Sequence, residues 1–202
     1  MPIRTLPELE SALDHLRAAP ADAGTLTLVV RRPERLAREL LDEAVIDEAD
    51  GVVGDNRLTR ATSRALAEGR HLDAQVTVMS SRMAGLLGDT DDERALAGDQ
   101  LYVDLDLSHD NLPAGSRIQV GVDVVLEVTA KPHAGCKKFL ARFGADAVAF
   151  VNGEEGSRLR LRGLNARVVR GGVVRVGDDV RRLAFSTAPS EVSGRSQTHP
   201  RG

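Results

Sequence analysis

The sequence predicts a mixed α/β, β-rich fold, barrel-like or α+β, with a few short helices. Three observations carry this. The chain has 202 residues, of which 22 are Val, while only Tyr102 and four Phe are aromatic. An aliphatic, β-branched core of that kind favours sheet. About eight strand-like segments outnumber three or four helical ones, and the strands cluster in the second half. Strands and helices do not alternate, which argues against a doubly wound sheet.

The elements follow in order. Leu6, Leu9, Leu13 and Leu16 recur at helical spacing, with Thr5 and Glu8 as a capping-box pair and Pro20 as a stop. Residues 1–24 therefore read as an N-terminal helix and connector. Thr25 to Val30 alternates as a strand. Residues 34–44 have helical propensity. Residues 50–72 are polar and Gly-punctuated and read as a long loop. Gln75 to Met79 is a strand, and Ser80 is placed to cap a short helix through Leu87. Leu101 to Leu105 is a strand, and Arg117–Gly121 and Asp123–Thr129 read as a strand pair. Phe139, Leu140, Phe143, Ala147, Val148 and Val151 give residues 135–150 helical periodicity. Leu159–Val169 and Val173–Leu183 flank Gly171-Gly172, a two-residue hairpin signal. The main domain thus spans 25–185, and the Ser-, Pro- and Gly-rich tail, 186–202, is expected to be disordered.

Composition excludes several function classes. Lys plus Arg number 27 and Asp plus Glu 30, a formal net charge of −3, so no global field favours nucleic acid or an anionic membrane. No apolar run approaches the roughly 20 residues of a spanning helix. The N-terminus has no signal-peptide apolar core, and the expected location is the cytoplasm. One cysteine, Cys136, rules out an intrachain disulfide framework and any multi-cysteine zinc or iron–sulfur site within one chain. No GxSxG, GxxxxGK[ST], GxGxxG or HExxH stands in the sequence.

The informative stretch is Lys131-Pro132-His133-Ala134-Gly135-Cys136-Lys137-Lys138-Phe139, which contains all three lysines of a chain with 24 arginines. Cys136 follows a strand, a Pro and a Gly and stands at the expected start of a helix. Helix N-termini and nearby cations lower a thiol pKa and favour the nucleophilic, metal-binding thiolate. The competing reading is a buried cysteine acting as a small hydrophobe. Arg162 and Arg167 lie five apart on one expected strand and point to opposite faces, so at most one faces a pocket.

The segments PHAGCKKFLARFGADAVAFVN and LRLRGLNARVVRGGVVRVGDDV resemble the C-terminal half of the MOSC domain, the C-terminal domain of molybdenum cofactor sulfurase. Upstream, DGVVGDNR resembles that family's Gly-Asp turn, and HDNLPAGSRIQVGVDVVLEVT its Glu-Asn-Leu segment and strand pair. The resemblance runs from about residue 25 to 185 and implies a β-barrel with short helices, with strand and loop rather than helix at 34–44. It also implies that Cys136 ligates molybdenum or carries sulfur. The chain departs from the family where Asn56-Arg57-Leu58 follows Gly54-Asp55, without the His-Gly-Gly that many members carry.

The family includes reductases of N-hydroxylated compounds and forms fused to a pyridoxal-phosphate-dependent desulfurase. The resemblance therefore implies a molybdenum-cofactor (molybdopterin) oxidoreductase acting on a small-molecule substrate, its electrons supplied by a separate donor protein. The alternatives are a sulfur carrier loaded by a cysteine desulfurase and a non-catalytic binding module. The cofactor is anionic and needs cations and a soft ligand. On this reading Cys136 is the ligand and His133 a proton donor. Lys131, Arg162, Asn111 and Arg57 are the cofactor-binding candidates. Each has a plainer reading: a solvated cation for Arg162 and Arg57, a turn residue for Asn111, a loop residue without a role for His133. Asp104 and Asp106 read as a solvated strand face.

Overall fold

The computed structural model describes residues 3–57, 59 and 62–184. The expected tail at 186–202 lies outside them. Seven strands close into a barrel. They are β1 (Ala23–Arg31), β5 (Val76–Ser80), β6 (Leu101–Val103), β7 (Arg117–Val120), β8 (Val124–Val128), β9 (Leu164–Arg170) and β11 (Asp179–Leu183). Their order around the barrel is β11-β7-β8-β9-β5-β6-β1, and β11 pairs again with β1 to close it. β2 (Glu39–Leu41) continues the sheet from the far end of β1. A second sheet of three strands, β10 (Gly172–Arg175), β3 (Glu43–Asp47) and β4 (Gly51–Val52), sits at one end. β5 and β6 run parallel, and the other pairings among the described residues are antiparallel.

Alternation sorts the apolar side chains into two cores. Leu26 and Val29 of β1, Val76 and Val78 of β5 and Leu101 and Val103 of β6 fill the barrel with Ile118, Leu126 and Val180. Leu28, Val30, Met79 and Tyr102 point outward and form a second core with the helices. That outer layer consists of α1 (Leu6–Glu10), α2 (Leu13–Arg17), α4 (Ser81–Leu87), α5 (Asp91–Ala95) and α6 (Lys137–Asn152). α6 contributes Phe139, Phe143, Ala147, Phe150 and Val151 to it. The Leu6 amide donates to Asp146 at 3.0 Å and ties α1 to α6. Two further short helices, α3 (Ser63–Ala67) and α7 (Glu154–Arg158), complete the set.

Several expectations are corrected. Residues 34–44 contain β2 and the start of β3 rather than a helix, because Ala44 and Ile46 face the barrel core at a strand's two-residue spacing. The 50–72 stretch holds β4, α3 and the start of a 3-10 helix at Arg70–Ala74. The N-terminal helix is two helices, and α6 breaks at Gly144, whose φ is 85°. Gly171-Gly172 makes no hairpin. A type I′ turn needs positive φ at both central residues, and Gly171 does not adopt it. Instead β10 crosses to pair with β3 and buries Val174 in the barrel core.

Candidate functional site

Cys136 is the N-cap of α6, with extended backbone (φ −107°, ψ 178°), and its side chain is exposed. Partial burial pushes its thiol pKa up. The backbone N–H groups of Phe139, Lys138 and Cys136 itself, together with the charge of Arg162, outweigh that and leave it lowered. The thiolate is therefore favoured by the N–H groups at the start of α6.

The loop that delivers Cys136 is pinned at three points. Thr129 Oγ1 donates to the Asp73 carbonyl at 2.5 Å. Asn165 Nδ2 on β9 donates to the carbonyls of Lys131 and Pro132, each at 3.1 Å. Asn152, at the other end of α6, accepts from the Gly135 amide at 2.8 Å and donates to its carbonyl at 3.1 Å. The helix thus holds the glycine that precedes its own N-cap.

Behind Cys136 stands a buried charged group. Asp99, fully buried, accepts from His133 Nε2 at 2.8 Å and from Arg162 Nη1 at 2.5 Å. Arg162 Nη2 donates to the Ala97 carbonyl at 2.9 Å, and its guanidinium carbon lies 5.0 Å from the centre of the Phe139 ring. Arg162 Nε is buried without a partner among the described residues. Burial alone would push the Asp99 carboxyl up, but the Arg162 and His133 charges and hydrogen bonds hold it well below the usual carboxylate range. A second buried pair lies beside it in space, reached through Gly98. Arg32 and Asp55 make a two-pronged ion pair at 2.8 and 2.9 Å, and Arg32 Nη1 donates to the Gly98 carbonyl at 2.7 Å. The Gly54-Asp55 turn therefore clamps an arginine at the end of β1, and that arginine holds the residue before Asp99.

These groups open onto a cleft of about 580 Å³. Eight of the residues lining it are Lys or Arg, among them Arg38, Lys137, Lys138 and Arg142, and none is Asp or Glu. Asp55 and Asp99 balance Arg32 and Arg162 from behind, which leaves a surplus of positive charge in the cleft.

Five of the six sequence candidates, Cys136, His133, Lys131, Arg162 and Arg57, line this cleft. Asn111 does not. Its Nδ2 donates to the carbonyls of Ala21 and Asp106, both at 2.8 Å, in the turn that joins the N-terminal connector to the loop after β6. Arg57 Nη2 donates to the His71 carbonyl at 3.1 Å. Arg162 is buried just before β9, and Arg167 is exposed on β9, so only Arg162 faces the cleft. Asp104 pairs with Arg82 at 2.6 Å. Asp99, Arg32, Arg38 and Arg142 were not singled out by the sequence. A lone aspartate before a strand and three more arginines in an Arg-rich chain give no pattern.

A family model described as the MOSC domain matches residues 73–181, more than half of the chain. The chain belongs to the MOSC-domain family. Its fold is similar to that of YuaD from Bacillus subtilis, at 18% identity over 78% of this chain and 94% of that one, with a TM-score of 0.54. It is also similar to YiiM from Geobacillus stearothermophilus, at 13% identity over 80% and 75% of the two chains, with a TM-score of 0.53. No curated protein matches it. The MOSC family is associated with the molybdenum cofactor and its sulfur chemistry. In this MOSC chain the matched region contains Cys136, His133, Asp99, Arg162 and the loop that joins them. Arg32 and Asp55 lie upstream of it.

Proposed function

We propose that this protein binds the molybdenum cofactor in the Cys136 cleft and reduces N-hydroxylated or related small molecules, with electrons from a separate donor protein. The observation that carries this is an exposed, thiolate-favouring Cys136 in a cleft rich in cations and free of carboxylates.

The donor set fits such a group. Among the described residues no cluster of three or more His, Cys, Asp or Glu side chains could hold a bare ion. One soft thiolate beside cations suits a metal that arrives with organic ligands and a phosphate of its own. When bound, the cofactor supplies the two-electron redox chemistry of molybdenum. Cys136 provides the soft ligand. Lys137, Lys138 and Arg142 provide charge for the phosphate. Asp99 is an anion and only accepts, so His133 presents Nε2–H to it. Nδ1 is then the His133 atom free to take or give a proton. Arg162 keeps Asp99 ionised and thereby keeps His133 in that tautomer.

The test is expression in a cofactor-competent host followed by metal analysis. Molybdenum near one per chain is expected, lost in Cys136→Ser, together with amidoxime or hydroxylamine reduction when an electron donor is supplied. A metal-free, inactive wild-type chain from that host overturns the reading.

The exposure of Cys136 favours a second reading. An accessible thiolate attacks the outer sulfur of a desulfurase persulfide, forms its own persulfide and leaves the desulfurase with a free thiolate. One added sulfur on Cys136 by mass spectrometry after desulfurase treatment, without bound metal, supports that reading over the first.

A further inference from the structure

Three arginines are buried in the described chain: Arg32, Arg162 and Arg160. The first two each have a buried carboxylate at 2.8 Å or closer. Arg160, 9% exposed, has none. Its Nη1 donates to the carbonyls of Leu112 at 2.5 Å and Leu107 at 3.3 Å, and its Nε and Nη2 carry no partner among the described residues. Burial pushes this guanidinium below its ordinary pKa, with no acid to offset it. A buried cation without a counter-ion is costly, and native chains normally pair it.

The backbone there is also constrained. Arg160 sits in the left-handed region at φ 49°, one of two non-glycine residues among those described to do so. The turn that holds it runs from the Ser157 carbonyl, which accepts from the Arg160 amide at 3.1 Å, to the Gly163 amide, which donates to the Arg160 carbonyl at 2.7 Å. Strained backbone of this kind gathers at ligand sites.

Arg160, which does not line the Cys136 cleft, lines a cavity of about 310 Å³ that shares Lys131, Pro132, His133 and Arg162 with that cleft. Lys131 and His109 stand on its walls, and no Asp or Glu does. The remaining walls are largely small, with Ala114, Ala130 and Gly156 among them. We propose that this cavity is a binding site for a small oxyanion, the phosphate or carboxylate group of a metabolite, with Arg160 as its counter-ion and Lys131 as a second cation. The site does not depend on cofactor binding at Cys136.

The full chain is titrated calorimetrically with inorganic phosphate and, separately, with succinate, at constant ionic strength held with chloride. Saturable binding of either that survives Lys138→Ala/Arg142→Ala supports the site, and the tighter of the two names the group it prefers. Arg160→Gln is expected to weaken that binding by about tenfold or more, the loss of a charge-assisted contact. Ala114 is exposed, so Ala114→Phe narrows the cavity mouth without disturbing the core and is expected to weaken binding likewise. It decides the matter alone if Arg160→Gln does not fold. The double variant Lys138→Ala/Arg142→Ala strips the other cleft of two cations and should keep the binding that Arg160→Gln weakens. The proposal is overturned if neither anion binds, if the Arg160 or Ala114 variant, when folded, binds as tightly as wild type, or if the Lys138/Arg142 variant abolishes binding.

Discussion

His133 Nε2 lies 2.8 Å from the Asp99 carboxylate, a contact between residues 34 apart in sequence. It joins the Cys136 loop to the segment that enters β6. The second Asp99 oxygen is taken by Arg162, and Arg162 covers the ring of Phe139 in the first turn of the Cys136 helix. One buried carboxylate therefore fixes the histidine, the arginine and, through the ring, the start of the helix.

Asp99→Asn leaves Arg162 buried without a counter-charge. Urea unfolding should show a loss of about 3–5 kcal/mol, the usual cost of breaking a buried pair on one side. A loss below about 1 kcal/mol, that of an ordinary surface change, would contradict the role given to Asp99.

The same carboxyl predicts a pH dependence. Its folded-state pKa lies below the ordinary unfolded value of about 3.9. Its contribution is therefore complete above that value and fades as the pH falls below it. Wild type should lose stability more steeply than Asp99→Asn between about pH 4 and pH 2. Parallel acid-unfolding curves would contradict this.

Cys136 alkylation by iodoacetamide, followed against pH, should show a midpoint below the roughly 8.5 of an unperturbed thiol. Because the side chain is exposed, Cys136→Ala should cost less than about 1 kcal/mol. A variant that melts several degrees lower would identify the thiol as part of the core.

Asp55→Ala alone strands Arg32 and should cost about 3–5 kcal/mol, whereas replacing both residues with Leu should cost clearly less. Denaturation of the two variants side by side makes the comparison. Equal losses would mean that the turn needs Asp55 for more than its charge.

Gly163 carries φ 100°, and a Cβ there would stand 2.3 Å from the Val78 carbonyl oxygen. Gly163→Ala should destabilise by about 2 kcal/mol or more, because both the backbone and its neighbour must shift. Unchanged denaturation would show that β5 can move away from β9 without penalty.

The sequence announced what repeats locally. Alternating Val-rich segments became barrel strands because one face of each fills the interior, as with Val76 and Val78. The 135–150 periodicity became α6, which buries Phe139 and Phe143 before the Gly144 break and Ala147 and Val151 after it. Local signals failed where a distant partner decided. Residues 34–44 have helix formers, but pairing of 39–41 with β1 and of 43–44 with β10 holds their second half extended. Gly171-Gly172 suggested a hairpin, but the partner of β10 is β3, more than a hundred residues upstream.

The same division holds at the site. Cys136, Lys131 and His133 announce themselves within one short segment. The groups that fix them, Asp99 and Asn165, lie on other elements and carry no spacing signal. Asn111 stood out as a motif residue, yet its side chain is spent on two turn carbonyls.

β1 meets three strands along its length: β11 at Ala23–Thr25, β6 at Leu26–Val29 and β2 at Val29–Arg31. The β11 contact zips the second residue of β1, Gly24, to Val180, and it is the one that closes the barrel. Closure therefore waits for residues more than 150 positions downstream, a loop whose ends are slow to find each other. During synthesis, residues 23–25 leave the ribosome long before 179–183 and lack their β11 partners until those emerge. For that interval the nascent sheet has open edges, and a chaperone or a second nascent chain can reach the strand that the finished barrel hides.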